Sequence, residues 1–280
     1  MNSLFAEFAK FMWGPWMLIL LLGTGLWLSI CLRGIQIRSL AYAFQLTFSK
    51  ERDGDGDISH FGSLMTSLAA TVGTGNIAGV STAVALGGPG AIFWMWITGL
   101  VGMATKYAEG FLAIKYRDVN KHGEISGGPM YYLEFGLKQK WLGILFAIFG
   151  ALAAFGIGNM IQSNTIASSL SKTLGTNDFL VGVILAFLTA MVVLGGIKRI
   201  ARITSYFVPL MVLIYFIGAT FVILNNLSHL SSGISFILEH AFTGTAATGG
   251  FAGATLAQTI RFGVARGLFS NESGMGSAPI

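Results

Sequence analysis

Long apolar runs with almost no charge dominate this chain, and they leave it few ways to fold. A helix needs about 20 apolar residues to cross the hydrocarbon core of a bilayer. Runs of that kind recur seven times, at about residues 13–32, 61–86, 91–116, 142–170, 179–197, 203–224 and 234–267. Of the 280 residues 54% are hydrophobic and 10% charged, with a mean hydropathy of +0.70. A soluble domain carries about 25% charged residues, so this chain cannot cover an aqueous surface. It reads as an all-α integral membrane protein that crosses the cell membrane several times.

The same composition excludes several classes of function. Cys31 stands alone and the four histidines are scattered, so neither a disulfide framework nor a metal-ligand cluster is expected. No phosphate loop, catalytic triad or basic nucleic-acid patch occurs, and no acid, base and nucleophile set lies inside the spans; an enzyme is not expected. The net charge of +5 reports orientation instead. With the N-terminus outside, Arg33, Arg38, Lys50, Arg52, Lys115, Arg117, Lys121, Lys138, Lys140, Lys198, Arg199, Arg202, Arg261 and Arg266 all fall in the cytoplasm, with Lys106 near that interface, while Lys10 and Lys172 stay outside. In the fourth span Gly150, Ala154 and Gly158 form a small-residue stripe suited to the close approach of another helix.

Two spans are interrupted, and the interruptions match. The second contains Thr71-Val-Gly-Thr-Gly-Asn-Ile-Ala-Gly79 and the seventh Thr245-Ala-Ala-Thr-Gly-Gly-Phe-Ala-Gly253. Thr71/Thr245, Thr74/Thr248, Gly75/Gly249, Ala78/Ala252 and Gly79/Gly253 are identical pairs. In this topology the second span enters from the cytoplasm and the seventh from outside, so the copies are inverted, as in transporters whose discontinuous helices hold substrate at the midplane. Glycine costs roughly 1 kcal/mol against alanine in a helix interior, and Gly73 and Gly75 flanking Thr74 favour local unwinding. Unwinding frees backbone groups that lipid cannot satisfy, so they must face protein, water or a ligand. A half-helix N-terminus offers N–H donors to a carboxylate, and freed carbonyls and hydroxyls can hold a small cation. Thr71 and Asn76 are candidate contacts for such a cation. The competing reading, that these glycines only permit tight helix crossings, is weakened by the matched pair and by the polar Asn76, Asn159, Gln162, Asn164, Thr243, Thr245 and Thr248 inside the spans.

The stretch TGNIAGVSTAVALGGPGAIFWMW from Thr74 to Trp96 resembles the alanine or glycine:cation (sodium) symporter family, as do Gly127-Gly-Pro-Met-Tyr-Tyr132 and Arg261-Phe-Gly-Val-Ala-Arg-Gly-Leu-Phe-Ser-Asn-Glu-Ser-Gly-Met-Gly276. The likeness covers most of the chain from about Ser59 onward. It implies a leucine-transporter-like bundle of the amino acid-polyamine-cation superfamily with one extra N-terminal helix, and an N-terminal part of a longer protein with eleven spans. On that scheme residues 1–58 hold the extra transmembrane helix and a cytoplasmic loop, 59–226 the first five-helix repeat, and 227–280 the first broken helix of the inverted second repeat. The resemblance implies symport of alanine or glycine with sodium, or a proton in some members, and no cofactor beyond the coupling ion. It puts substrate near Gly73, Thr74, Gly75, Asn76 and Gln162, with Thr245, Thr248, Gly249 and Phe251 opposite. N–H groups around Gly75 would serve the substrate carboxylate, and freed carbonyls with Gln162 its ammonium.

Two motifs are set aside. Asp53-Gly-Asp-Gly-Asp57 opens like a calcium loop but has Ile58 at position 6 and Leu64 at position 12, so it reads as a solvated turn. Gly128-Pro129 reads as a helix start with proline at its first position. Besides a symporter fragment, two other classes fit the composition: a passive channel, which would need a continuous polar lining, and a non-transporting membrane partner or scaffold, for instance of a C-terminal half.

Overall fold

A computed structural model describes residues 7–9, 11–49, 58–119, 125–243 and 255–279. Its helices follow the apolar runs. They are α1 (Pro15–Cys31), α2 (Ile35–Arg38), α3 (Leu40–Phe48), α4 (His60–Thr71), α5 (Thr74–Gly87), α6 (Ala91–Lys115), α7 (Pro129–Tyr131), α8 (Lys140–Ala153), α9 (Ile161–Leu174), α10 (Asp178–Val193), α11 (Gly196–Asn225), α12 (Leu227–Thr243) and α13 (Leu256–Asn271). A two-stranded antiparallel hairpin pairs β1 (Asp118–Val119) with β2 (Ile125–Ser126). By length and composition His60–Gly87, Lys140–Leu174 and Gly196–Asn225 can each cross a membrane, and α1 and α10 are shorter apolar helices. Phe155, Phe179, Phe187 and Phe216 lie exposed on these helices, as lipid-facing side chains do.

The chain divides into two compact units. The first comprises 1–41, 75–110 and 215–278. Its core joins Leu18 of α1 to Val264 and Leu268 of α13, with Trp13, Leu21, Leu22 and Trp94 packed around them. Three helices here run in the same direction. Along α6 and α13 the contacts progress together: a Cβ at Gly263 would stand 2.6 Å from the Ala91 carbonyl, one at Gly267 3.2 Å from the Met95 Cα, and one at Gly102 2.6 Å from the Ser273 Oγ. On α1, a Cβ at Gly25 would stand 2.6 Å from Val101 of α6. Thr259, Gly263 and Gly267, at i, i+4 and i+8, form the face that α13 turns to its neighbours, and Thr259 and Thr98 are wholly buried. The small-residue seam is therefore on α13. Among the described residues a Cβ at Gly150 would meet Phe146 of its own helix and nothing else, at 3.9 Å, and from Ala154 the helix winds as a π-helix instead.

Within the seventh predicted span, 234–267, α12 is described as far as Thr243, and α13 begins at Leu256 with a capping box: Thr255 Oγ1 accepts from Gln258 N at 3.3 Å, and Gln258 Oε1 accepts from Thr255 N at 2.9 Å. Arg261 Nε donates to the Trp13 carbonyl at 3.2 Å. This contact places Arg261 at the start of α1, not at its Cys31 end beside Arg33 and Arg38, and it corrects the expectation that Arg261 shares their side. The reason is the direction of α13, which runs alongside α1 and α6 from the Trp13 end.

The second unit comprises 42–74, 111–214 and 279–280. In it α4 meets α11 through Gly62, whose Cβ would sit 3.7 Å from Ala201, and through the Thr66 and Thr204 hydroxyls at 3.3 Å. Pro129 begins α7 as expected, after Gly128 at a φ of 112°. A π-helix, Ala154–Met160, connects α8 to α9. Each extra residue in a π turn rotates the helix beyond it by about 100° relative to a regular α-helix, and this turn sets the face on which Gln162 emerges.

Candidate functional site

The predicted break in the second span is present and short. Regular winding ends at Thr71, Val72 is extended at φ −94° and ψ 103°, and α5 begins at Thr74. Gly75 and Asn76, expected in the unwound stretch, already belong to the first turn of α5. The first N–H groups of a helix have no partner inside it, and in the second unit the Thr74 N–H finds one on another helix. Gln162 Oε1 accepts from Thr74 N at 3.3 Å and from Thr74 Oγ1 at 2.7 Å. Two donors of one residue thus converge on a single neutral oxygen. Gly73 makes room for it, because a Cβ there would sit 3.1 Å from Gln162 Nε2 and 3.2 Å from Oε1. On the other side of the break the Thr71 hydroxyl donates to the Ser67 carbonyl at 3.0 Å, and Val72 N donates to the Leu68 carbonyl at 2.7 Å.

In the first unit, α5 lies antiparallel to α13. A Cβ at Gly87 would stand 3.0 Å from the Phe262 Cβ, and one at Gly75 3.7 Å from the Phe269 ring. Asn76 Nδ2 donates to Ser270 Oγ at 2.7 Å. The end of α13 thus lies beside the first turn of α5. There the chain leaves helical winding through Glu272, in the left-handed region at φ 53°, and Gly274 and Gly276 follow at 80° and 73°. Ser273 N donates to Asn271 Oδ1 at 3.0 Å, and Ser277 Oγ to Glu272 Oε2 at 2.8 Å.

Of the residues expected at the site, the structure brings Gly73, Thr74 and Gln162 together in one unit and places Gly75 and Asn76 against Phe269 and Ser270 in the other. Thr71 faces its own helix carbonyl. Thr245, Thr248, Gly249 and Phe251 lie outside the described residues. The flanks of that stretch are described: Gly90 packs closely on the His240 carbonyl, and the Trp94 indole N–H donates to the Ala241 carbonyl at 2.9 Å. These contacts and the Gln258 carbonyl beside Gly87 sit at the far end of α5 from Gly75. Sequence reasoning did not name Phe269 and Ser270. Their only signal was position in the Arg261 to Gly276 stretch that carries the family resemblance.

The sodium:alanine symporter family matches residues 1–280. The sodium/alanine symporter AgcS of Methanococcus maripaludis is 53% identical over 277 residues, covering 97% of this chain and 60% of that protein. The probable sodium/glutamine symporter GlnT of Bacillus subtilis is 40% identical, over 96% of this chain and 55% of that protein. The amino-acid carrier protein AlsT of the same organism is 39% identical, over 99% and 58%. The chain spans about three-fifths of the length of the relatives it matches. By its sequence throughout, and as its apolar helices require, the chain belongs to the sodium:alanine symporter family, whose members are membrane transporters and not enzymes.

Proposed function

We propose that this chain is the N-terminal part of a symporter that carries alanine or glycine inward with sodium, by alternating access in a leucine-transporter-like bundle. The break at Val72 and Gly73 is the observation that carries the reading. It presents the Thr74 N–H and hydroxyl to one acceptor oxygen, now that of Gln162. A substrate carboxylate is a stronger acceptor of the same two donors, since hydrogen bonds to an ionised group are roughly twice as strong as neutral ones, and the start of α5 adds its partial positive charge. Substrate then displaces Gln162 Oε1 and leaves that oxygen to accept from the substrate ammonium. This sequence keeps both assigned roles, donors at the break and acceptor at Gln162, and adds an exchange between them.

The ion is sodium in this reading. Hydroxyls and carbonyls suit a hard cation; in the first unit Asn76 and the Ser270 hydroxyl that it reaches are candidate contacts, and in the second Thr71 is a separate candidate. The expected Thr245–Gly253 stretch remains the counterpart of the first break in this reading, and the Asn271–Gly276 turn is a further departure from helical winding, beside the first turn of α5, supported by the Asn76 to Ser270 bond and by three positive φ values. The N-terminus is taken as external, on the strength of the remaining basic residues.

The test is uptake of labelled alanine, glycine and glutamine into proteoliposomes holding the full reading frame, with an imposed sodium gradient. The reading expects saturable, sodium-dependent uptake of alanine or glycine, with glutamine excluded. Non-saturating flux would favour a passive channel, and uptake that ignores sodium would refute the coupling. Vesicles holding residues 1–280 alone are expected to show none.

A further inference from the structure

Glu109 is the residue of α6 that the transport reading leaves unused. It is 8% exposed and lies on the same helix face as Lys106, three residues before it. A buried carboxyl group is costly unless its oxygens are bonded. Glu109 Oε1 accepts from the backbone N–H of Gly276 at 3.1 Å, across 167 positions of sequence. That N–H belongs to the turn that follows α13, where positive φ at Glu272, Gly274 and Gly276 prevents the regular ladder from satisfying the backbone. The rest of the turn presses on the same part of α6. Ser273 is 2% exposed against Gly102, and a Cβ at Gly274 would lie 2.9 Å from Leu21 and 3.8 Å from Thr105. The turn's first residue, Glu272, lies two positions beyond Ser270, which holds Asn76.

We propose that Glu109 is a positioning residue for symport: by accepting the Gly276 N–H it clamps the Glu272–Gly276 turn onto α6, and through the turn it fixes Ser270 against Asn76. The role rests on the transport reading and deepens it. Glu109 touches neither substrate nor ion. It sets where the end of α13 stands beside the first turn of α5. The bond requires an acceptor oxygen at this side-chain length, not a negative charge, so Gln substitutes for Glu. Asp, one methylene shorter, does not reach, and Leu supplies no oxygen.

Two measurements on the full-length protein test the clamp. Hydrogen–deuterium exchange of the peptide containing residues 272–278 reports the turn directly, whether or not the protein transports. Loss of a hydrogen bond of this kind should speed exchange there by roughly tenfold to a hundredfold in Glu109→Leu and Glu109→Asp, and leave it near wild type in Glu109→Gln. Initial uptake rates against sodium concentration should show a raised KM for sodium in Leu and Asp, with kcat changed less, and rescue in Gln. If Leu fails to fold, Asp and Gln carry the comparison. Unchanged exchange in Asp and Leu overturns the clamp, and so does a Gln variant as fast as Asp, because an acceptor oxygen at the native reach would then not hold the turn. A wild-type protein that does not transport sinks the symport reading while the exchange data still decide the clamp.

Discussion

A double-mutant cycle on Thr74 and Gln162 probes the break most directly. Thr74→Val removes the 2.7 Å hydroxyl bond and keeps the volume, leaving Gln162 Oε1 with the 3.3 Å bond from Thr74 N. A typical net hydrogen bond contributes about 0.5–1.5 kcal/mol, so this change should cost about 1 kcal/mol. Gln162→Leu removes the acceptor of both bonds and leaves the Thr74 N–H without a partner. A buried donor left unsatisfied costs about 1–3 kcal/mol, which puts the variant about 2 kcal/mol below wild type. Once the acceptor is gone, removing the hydroxyl loses nothing further. The double variant should therefore match Gln162→Leu, giving a coupling of about 1 kcal/mol between residues 88 positions apart. Reversible denaturant unfolding of the full-length protein in mild detergent measures the cycle, and titration with alanine measures affinity in the same four proteins. Affinity should fall in every variant if, as proposed, substrate uses the same donors and the same amide. Single-variant costs that simply add, to within about 0.3 kcal/mol, would refute the contact. Full alanine affinity in Gln162→Leu would remove Gln162 from the site.

Two further changes test the packing that holds the site. Gly267→Val would drive a side chain into Thr98 and Met95 of α6; overpacking of this kind costs about 1–3 kcal/mol, and an unchanged thermal midpoint in detergent would show that α6 and α13 do not approach so closely. Thr255→Ala should cost about 1 kcal/mol by removing half of the capping box, and Thr255→Ser should restore it. Equal stability of the Ala and Ser variants would mean that the start of α13 is held by something else.

Features set by local chemistry were readable from the residues alone. Apolar length predicted a helix over 91–116, and the structure has Ala91–Lys115; it predicted one over 179–197, and the structure has Asp178–Val193. Gly73 beside Thr74 marked the first break to within a residue or two. Gln162 stood out because an amide inside a span needs a partner. Features set by long-range pairing were not readable. Nothing near Ser270 says that it meets Asn76, 194 positions away, and nothing near Glu109 says that Gly276 donates to it. The π-helix over Ala154–Met160 has no composition of its own, so Gly150, Ala154 and Gly158 looked like a packing stripe. The stripe that does pack, Thr259, Gly263 and Gly267, is threaded by Arg261 and Arg266, and those charges made it resemble the edge of a span. Arg261 is accommodated by a carbonyl at the start of another helix, which no local pattern announces.

The Thr74–Gln162 contact is made wholly of neutral groups: a peptide N–H, a hydroxyl and an amide. Such a surface can solvate opposite charges that arrive together on one molecule, but it offers no counterion to either sign alone. If this contact is the substrate site proposed above, a lone chloride or metal ion would exchange its hydration shell there for dipoles alone. Fidelity against leakage would then come from what the contact lacks, a formal charge, as much as from the fit of the cargo.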